Sequence, residues 1–267
     1  MMQTKLFKKS STTYFNSTLF FEKEVREKII ILYGFVRYAD NIVDKKNASI
    51  RAFEKFEKEY KTKKTNNKII LDFIKLKEQN SFKEAWVEEF LKAMKQDFKK
   101  KEYLTIEETK KYCHGSAEVI GLMIAKILGL EETSYPYAKK LGLSMQYINM
   151  IRDVAEDNKL GRIYLPKKEM QKLGLNSLDH IYAIKNKKAF NIFIRSQIKQ
   201  YFKWLKEAKK GFKYIPKNNL VAIKTASDMY EWTASKIYEN PLLIFKKKIK
   251  PSKLRVIYTA IKNKVIL

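Results

Sequence analysis

Two stretches of the chain place carboxylates four residues apart. Residues 37–44 read Arg37-Tyr-Ala-Asp40-Asn-Ile-Val-Asp44, and residues 146–157 read Gln146-Tyr-Ile-Asn149-Met-Ile-Arg152-Asp153-Val-Ala-Glu156-Asp157. On an α-helix, positions i and i+4 lie on one face about one turn apart, so two carboxylates there repel unless a cation stands between them. At roughly 100° per residue, Arg37, Asp40 and Asp44 fall within about 60°, and Gln146, Asn149, Asp153 and Asp157 within about 80°. Met145, Ile148, Ile151 and Ala155 fall outside the second polar arc. A narrow polar stripe beside an apolar one points to an interior site, because buried carboxylates must be paired or bind metal. Oxygen-only donors suit hard Mg²⁺, which keeps waters and shares phosphate oxygens. Two facing pairs could therefore clamp a diphosphate through several ions. Taken singly, either stripe is also what a solvated, lysine-rich helix face presents.

Long helices must position these stripes, and the sequence supplies them. Val25, Ile29, Leu32 and Val36 recur at helical spacing, which predicts one helix over 18–46 that carries the first motif. Helices are predicted over 50–60, 69–79 and 81–101, with 61–68 as a loop and Ser81 as an N-cap. Thr105 and Glu108 match a capping box, opening a helix that runs to about Leu128 and stops at Gly129. A helix from Tyr137 to Asn158 carries the second motif, and Gly161–Pro166 is a loop. Further helices are expected at 167–173, 177–183, 186–212, 217–239 and 251–264. No stretch has a convincing strand pattern, and neither a repeat nor a low-complexity linker divides the chain. The expectation is an all-α fold in one domain over residues 1–267.

Composition agrees. The 267 residues include only eight Gly and five Pro, too few for a sandwich, barrel or propeller, which need a turn every ~8–12 residues. At 45% hydrophobic the chain is not disordered, despite a net charge of +27. One cysteine, Cys113, excludes an internal disulfide and a Cys-based zinc site, and two histidines leave little room for a His-rich one. The basic N-terminus lacks the apolar stretch of a signal peptide, and no apolar run reaches the ~18 residues of a membrane span. A cytoplasmic protein is expected. The excess of Lys suits solvated helix faces, anionic lipid or a polyphosphate substrate. No zinc-finger spacing or glycine-aromatic signature supports a nucleic-acid partner.

The chemistry-bearing residues resemble a known family. Residues 29–44, IIILYGFVRYADNIVD, and residues 146–166, QYINMIRDVAEDNKLGRIYLP, are similar to the two aspartate-rich motifs of the squalene/phytoene synthases. Tyr112-Cys113-His114-Gly115 with Gly121 resembles the segment between those motifs, and Asp97 an acidic position ahead of it. Ser11-Thr-Thr13-Tyr14-Phe15 resembles an N-terminal diphosphate-contacting segment, and Tyr230 an aromatic of the far pocket. Departures are Asn41 for a second Asp, Thr13-Tyr14 for Ser-Phe, and Ser116 and Glu118 in the central helix, where Glu118 replaces a Gly.

The resemblance implies an isoprenoid synthase-type helical bundle around a central cavity. It implies a Mg²⁺-dependent head-to-head union of two prenyl diphosphates, with two or three ions held by Asp40, Asp44, Asn149, Asp153 and Asp157. Tyr112, Arg37, Gln146 and Tyr164 would be catalytic. Ser11, Thr13, Tyr14, Arg37, Asp97, Asn149, Arg162 and Tyr230 would bind substrate. Val119, Leu122, Met123, Ala125 and Leu143 would line the greasy channel, unless they merely pack the core. Geranylgeranyl diphosphate and phytoene are the expected substrate and product, with farnesyl diphosphate and squalene or dehydrosqualene as the alternative. A non-catalytic assembly factor on the same scaffold is the rival from another class. NADPH is not expected, and members of the family do without a nicotinamide glycine fingerprint in any case. An amphipathic substrate implies peripheral work at the inner face of a membrane, where Lys99–Lys101 and Lys246–Lys248 would meet anionic lipid. Oligomeric state is left open.

Overall fold

The computed structural model describes residues 12–44 and 48–267. In chain order, helix α1 is Thr12–Thr18, α2 Lys23–Val43, α3 Ile50–Thr62, α4 Lys68–Gln79, α5 Glu84–Gln96 and α6 Ile106–Cys113. A π-helical turn, His114–Glu118, joins α6 to α7 at Val119–Ile127. Then follow α8 Tyr135–Arg152, α9 Val154–Lys159, α10 Lys167–Lys172, α11 His180–Lys185 and α12 Lys187–Lys209. The last are α13 Lys217–Glu239, α14 Leu243–Lys246 and α15 Lys253–Ile266. Among the described residues the sole β feature is an isolated bridge between Glu102 and Ile163.

Side chains that satisfy the first free N–H groups start several helices. The oxygens of Ser49, Asn67, Thr105, Asp179 and Ser252 accept from backbone N–H two or three residues on. At Thr105 the expected box is reciprocal: Oγ1 accepts from Glu108 N at 3.2 Å, while Glu108 Oε2 accepts from Leu104 N at 3.2 Å. Ser81 does not cap. It sits at φ 50 in the turn before α5, which starts after Lys83. The helix expected over 18–46 starts only at Lys23, after a break at residues 19–22 that follows α1, and the one expected over 81–101 runs from Glu84 to Gln96.

Buried apolar side chains form one connected cluster from Tyr14 to Ile249. Phe35 of α2 stacks on Phe73 of α4 with ring centroids 3.8 Å apart, docking the helix that bears the first motif. α8 is the central helix. Its broadest partner is α12, and it also touches α7, α13 and the π turn. A helix covered on so many sides need not have an apolar stripe opposite a polar one. α8 accordingly buries Leu143, Tyr147 and Ile151 in the core and turns Met145 toward a cavity. Two close backbone approaches set the spacing. A Cβ on Gly142 would lie 2.5 Å from the carbonyl oxygen of Ala117, and one on Gly121 would lie 2.5 Å from that of Ala138.

Candidate active site

Thirteen residues predicted from sequence line one cavity of about 260 Å³: Tyr14, Arg37, Asp40, Asp44, Asp97, Tyr112, Gln146, Asn149, Asp153, Asp157, Arg162, Tyr164 and Tyr230. Thr13 lies in the first turn of α1 and Ser11 lies outside the described residues. The two acidic stripes therefore meet across a shared space.

Each stripe sits where a helix ends. Asp40 is in the last turn of α2, and Asp44 is its C-cap. Asp153 is the residue between α8 and α9, and Asp157 lies one turn later in α9. The C-terminus of a helix carries partial negative charge. Asp40, Asp44 and Asp153 add to it, and Asp157 stands in the first turn of α9 beside them, so the site calls for cations.

Resident cations meet part of that demand. Arg37 Nη1 donates to Asp40 Oδ2 at 2.8 Å. Arg162 Nη1 donates to Asp44 Oδ1 at 2.8 Å, and its Nη2 to the carbonyl of Val43 at 2.7 Å. Arg152 grips Asp153 with both prongs, Nε to Oδ1 at 2.8 Å and Nη2 to Oδ2 at 2.7 Å. Lys248 lies 3.1 Å from Asp153 Oδ1 and also bonds Glu156.

The carboxylates divide accordingly. Burial would raise Asp153, but Arg152 and Lys248 outweigh it and hold its carboxyl below the usual range. At Asp157 the pull of Arg162 is too weak: burial, then Asp153 and Asp44, push it well above. Burial also lifts Asp40 to about 7 despite Arg37, with Asp44 and Asp97 adding to the rise. On the cationic side, burial together with Arg152 and Lys248 pulls the Lys250 ammonium below its ordinary range. Crowded carboxylates and crowded ammonium groups thus stand side by side. A dianionic ligand bridged by divalent cations would relieve both.

The donor set fits such ions. It is all oxygen, and the buried Oδ1 of Asn149 has no protein partner. Among the described residues no three His, Cys, Asp or Glu side chains form a ready-made cage. Each ion would need further oxygens from water or ligand, as Mg²⁺ prefers.

Asp97 organises a second group. It is 2% exposed. Tyr112 donates to its Oδ2 at 2.7 Å and Tyr164 to its Oδ1 at 2.9 Å, with Arg162 4.0 Å away. Burial raises its carboxyl to about 6, against the pull of Arg162 and the two hydroxyls. Backbone staples fix Tyr164 and Arg162. Gly161 turns the chain at φ +68, Arg162 N bonds Asp157 O at 2.9 Å and Ile163 N bonds Lys101 O at 2.7 Å. Thr109 Oγ1 donates to the carbonyl of Tyr164 at 2.7 Å.

Away from the charges the lining turns apolar. Along α8 it passes from Asp153, Asn149 and Gln146 back to Met145, Gly142 and Leu141. Along the antiparallel wall it passes from Tyr112 through Ser116 and Ala117 to Ile120, Ile124 and Leu128. Of the channel residues expected from sequence, Ala125 alone lines the cavity. Val119, Leu122 and Met123 pack the core instead, because the π turn adds a residue and re-registers the helix after it, and Leu143 is buried in the core from α8. Ser116 points in with its buried Oγ unpartnered, and Glu118 points away to His114 Nδ1 at 2.9 Å. Asn41 is exposed and outside the lining.

Sequence reasoning missed Arg152, Tyr33 and Lys248. Arg152 adjoins Asp153 within the second motif, which was the available signal. Tyr33 lines the cavity beside Tyr14, ring centroids 4.7 Å apart. Lys248 reads as surface in a lysine run, yet it lies on the second motif. Lys100 and Lys101 are likewise engaged locally, with Glu108 and with the carbonyl of Asp97.

Residues 7–255 match the family model for squalene/phytoene synthases. The chain belongs to that family. It is, with the family, a prenyltransferase. It is 24% identical over 243 residues to the 15-cis-phytoene synthase of Pantoea ananas, covering 85% of this chain and 78% of that one. It is 28% identical to the chloroplastic phytoene synthase of Daucus carota, covering 86% of this chain and 59% of the relative. Among solved structures, a dehydrosqualene synthase in complex with ligand superposes with a TM-score of 0.87 at 24% identity, covering 99% of this chain and 94% of that one. That likeness bears out the isoprenoid synthase-type helical fold expected from the motifs.

Proposed function

We propose that the protein joins two molecules of geranylgeranyl diphosphate head to head, through a cyclopropyl diphosphate, to give phytoene. The observation that carries the reading is the amphipathic cavity: two carboxylate pairs and three cationic side chains at one end, an apolar lining at the other. A prenyl diphosphate has that same division. Relatives named as phytoene synthases favour the longer substrate.

Asp40, Asp44, Asp153, Asp157 and Asn149 would hold two or three Mg²⁺ ions, which supply charge neutralisation to the departing diphosphate. Arg37, Arg152 and Arg162 present N–H donors to its oxygens. Gln146 lines the polar end next to Asn149. Tyr112 and Tyr164 commit their hydroxyl protons to Asp97, and the Tyr164 oxygen also accepts from Arg162 Nη1 at 3.4 Å, so the oxygen lone pairs that remain would face a developing allylic cation. Tyr14 and Tyr230 bound the cavity on the side of α1 and α13. The apolar walls of Ile120, Ile124 and Met145 exclude the water that would quench a carbocation. The domain is one unit over 1–267, working as a peripheral protein on the inner face of a membrane. No described helix is long and apolar enough to cross one.

The experiment is direct. Purified protein with Mg²⁺ and C20 or C15 prenyl diphosphate is extracted for hydrocarbons. A C40 product is expected from the C20 substrate. A C30 product from farnesyl diphosphate alone would move the assignment to squalene or dehydrosqualene synthesis. No turnover of either by folded protein would turn it to a non-catalytic scaffold. Asp40→Ala and Asp157→Ala are each expected to abolish turnover with helicity unchanged, and activity retained in both would refute the ligand assignment.

A further inference from the structure

The final described helix, α15, has two unlike faces. Val256, Ala260 and Asn263 are buried against the body of the protein. Asn263 is pinned there: its amide donates to Asp228 Oδ2 at 2.8 Å and Thr225 Oγ1 at 3.2 Å, and its Oδ1 accepts from Lys224 at 2.8 Å. The opposite face carries Leu254, Tyr258, Ile261 and Val265, which are 79%, 70%, 59% and 81% exposed.

Helical arithmetic makes the pattern explicit. The four exposed apolar residues fall within about 60° of one another. Lys262 and Arg255 lie about 80–100° to one side of Leu254, and Lys264 and Lys253 the same angle to the other. The helix, KLRVIYTAIKNKVI, contains no acidic residue. A long apolar stripe left in water is costly and marks an interaction surface. Basic flanks on both sides add the second requirement, an anionic partner.

We propose that α15 docks the protein on an anionic lipid bilayer. The helix lies in the plane of the headgroups. Its apolar stripe enters the acyl boundary, and Lys253, Lys262 and Lys264 reach up to lipid phosphates, while Arg255 stays over the ring of Trp232 at 4.9 Å. This rests on the reading above that the protein is a peripheral membrane enzyme, and it names the surface. Charge decides between a bilayer and a second copy of the chain. Pairing two α15 faces would bring eight cationic side chains together between molecules of net charge +27, whereas anionic lipid neutralises them. Position fits as well. α15 packs on α13 and α1, which contribute Tyr230 and Tyr14 to the cavity. Only residues 249–252 separate it from Lys248 on the second acidic motif. Docking there sets one wall of the cavity against the lipid from which a prenyl chain would come.

Flotation with vesicles tests this. Wild-type protein is expected to float with vesicles of equimolar phosphatidylcholine and phosphatidylglycerol, and not with phosphatidylcholine alone. The variant Tyr258→Ser/Ile261→Ser/Val265→Ser should lose about tenfold or more in partitioning. The variant Lys262→Glu/Lys264→Glu should lose about fivefold or more per residue and with it most of the salt dependence. All five positions are exposed, so both variants should keep the wild-type circular dichroism and thermal midpoint. Turnover of detergent-dispersed prenyl diphosphate should also be kept. Unchanged flotation of the serine variant would overturn the proposal, as would a wild-type dimer that the same variant converts to monomer. If no form turns over prenyl diphosphate while flotation behaves as described, the reaction assigned above fails and the docking surface stands.

Discussion

Replacing Asp97 by Asn should change how stability depends on pH, and the size of the change follows from the site. The carboxyl titrates near 3.8 when exposed, and burial raises it to about 6 in the folded chain. Between those values the folded protein binds more protons than the unfolded one. Stability therefore falls as pH rises through the window of about 4 to 6. The full difference is about 2 pKa units, or about 3 kcal/mol, of which about 2 kcal/mol is expressed between pH 4.5 and 7.5. Asp97→Asn keeps the shape but has nothing to titrate. Its own cost, a weaker bond to Tyr112 or Tyr164, is about 1 kcal/mol and nearly independent of pH. The assay is urea denaturation of both proteins at the two pH values, at fixed ionic strength and with a chelator present. The variant should gain about 2 kcal/mol on the wild type in going from pH 4.5 to 7.5, whatever the offset between them. An equal loss at both pH values would mean that Asp97 is ionised in the fold throughout and that Arg162 governs it. That result would refute the assignment of burial as the dominant cause.

Three other outcomes are expected. Gly142→Ala places a Cβ 2.5 Å from the backbone oxygen of Ala117, so α8 and the π turn must part. Calorimetry should show a loss of about 1–3 kcal/mol, a midpoint lower by about 2–4 °C for each. Lys248→Met removes a cation from Asp153 and Glu156, and titration of the protein with Mn²⁺ should show binding about two- to fivefold tighter, the worth of a partly exposed ion pair. Tyr147→Phe leaves the buried Gln197 without its hydroxyl donor, outside the cavity. It should cost about 1–2 kcal/mol in denaturant with turnover unchanged.

The identity of the site residues was legible because their chemistry is local. Four carboxylates in two i, i+4 pairs must be answered by cations wherever they sit, and the wheel geometry alone put Arg37 and Asn149 on the same arcs. Thr105 and Gly129 likewise acted over one turn, and both behave as expected, with Gly129 at φ +67. Misplaced expectations involve either a partner distant in sequence or a local departure from regular helix. Met145 was read as facing away from the polar stripe, but α8 is packed on several sides and Met145 lines the cavity. Leu122 and Met123 were expected in the channel from the resemblance, but beyond the π turn at His114–Glu118 it is Ile120 and Ile124 that line it. Lys248 lies 95 positions from Asp153, and nothing in a lysine run says which member will reach a carboxylate.

The sequence by itself determined that the chain is helical, that two acidic stripes exist and that they want hard cations, since periodicity, capping and like-charge repulsion act within one or two turns. Only the tertiary structure decided that both stripes meet on one cavity, that Asp97 gathers Tyr112 and Tyr164, and that α15 leaves an apolar stripe in water. Those facts depend on how whole helices pack against each other, and close approaches such as Gly142 on Ala117 fix that packing across the chain rather than along it.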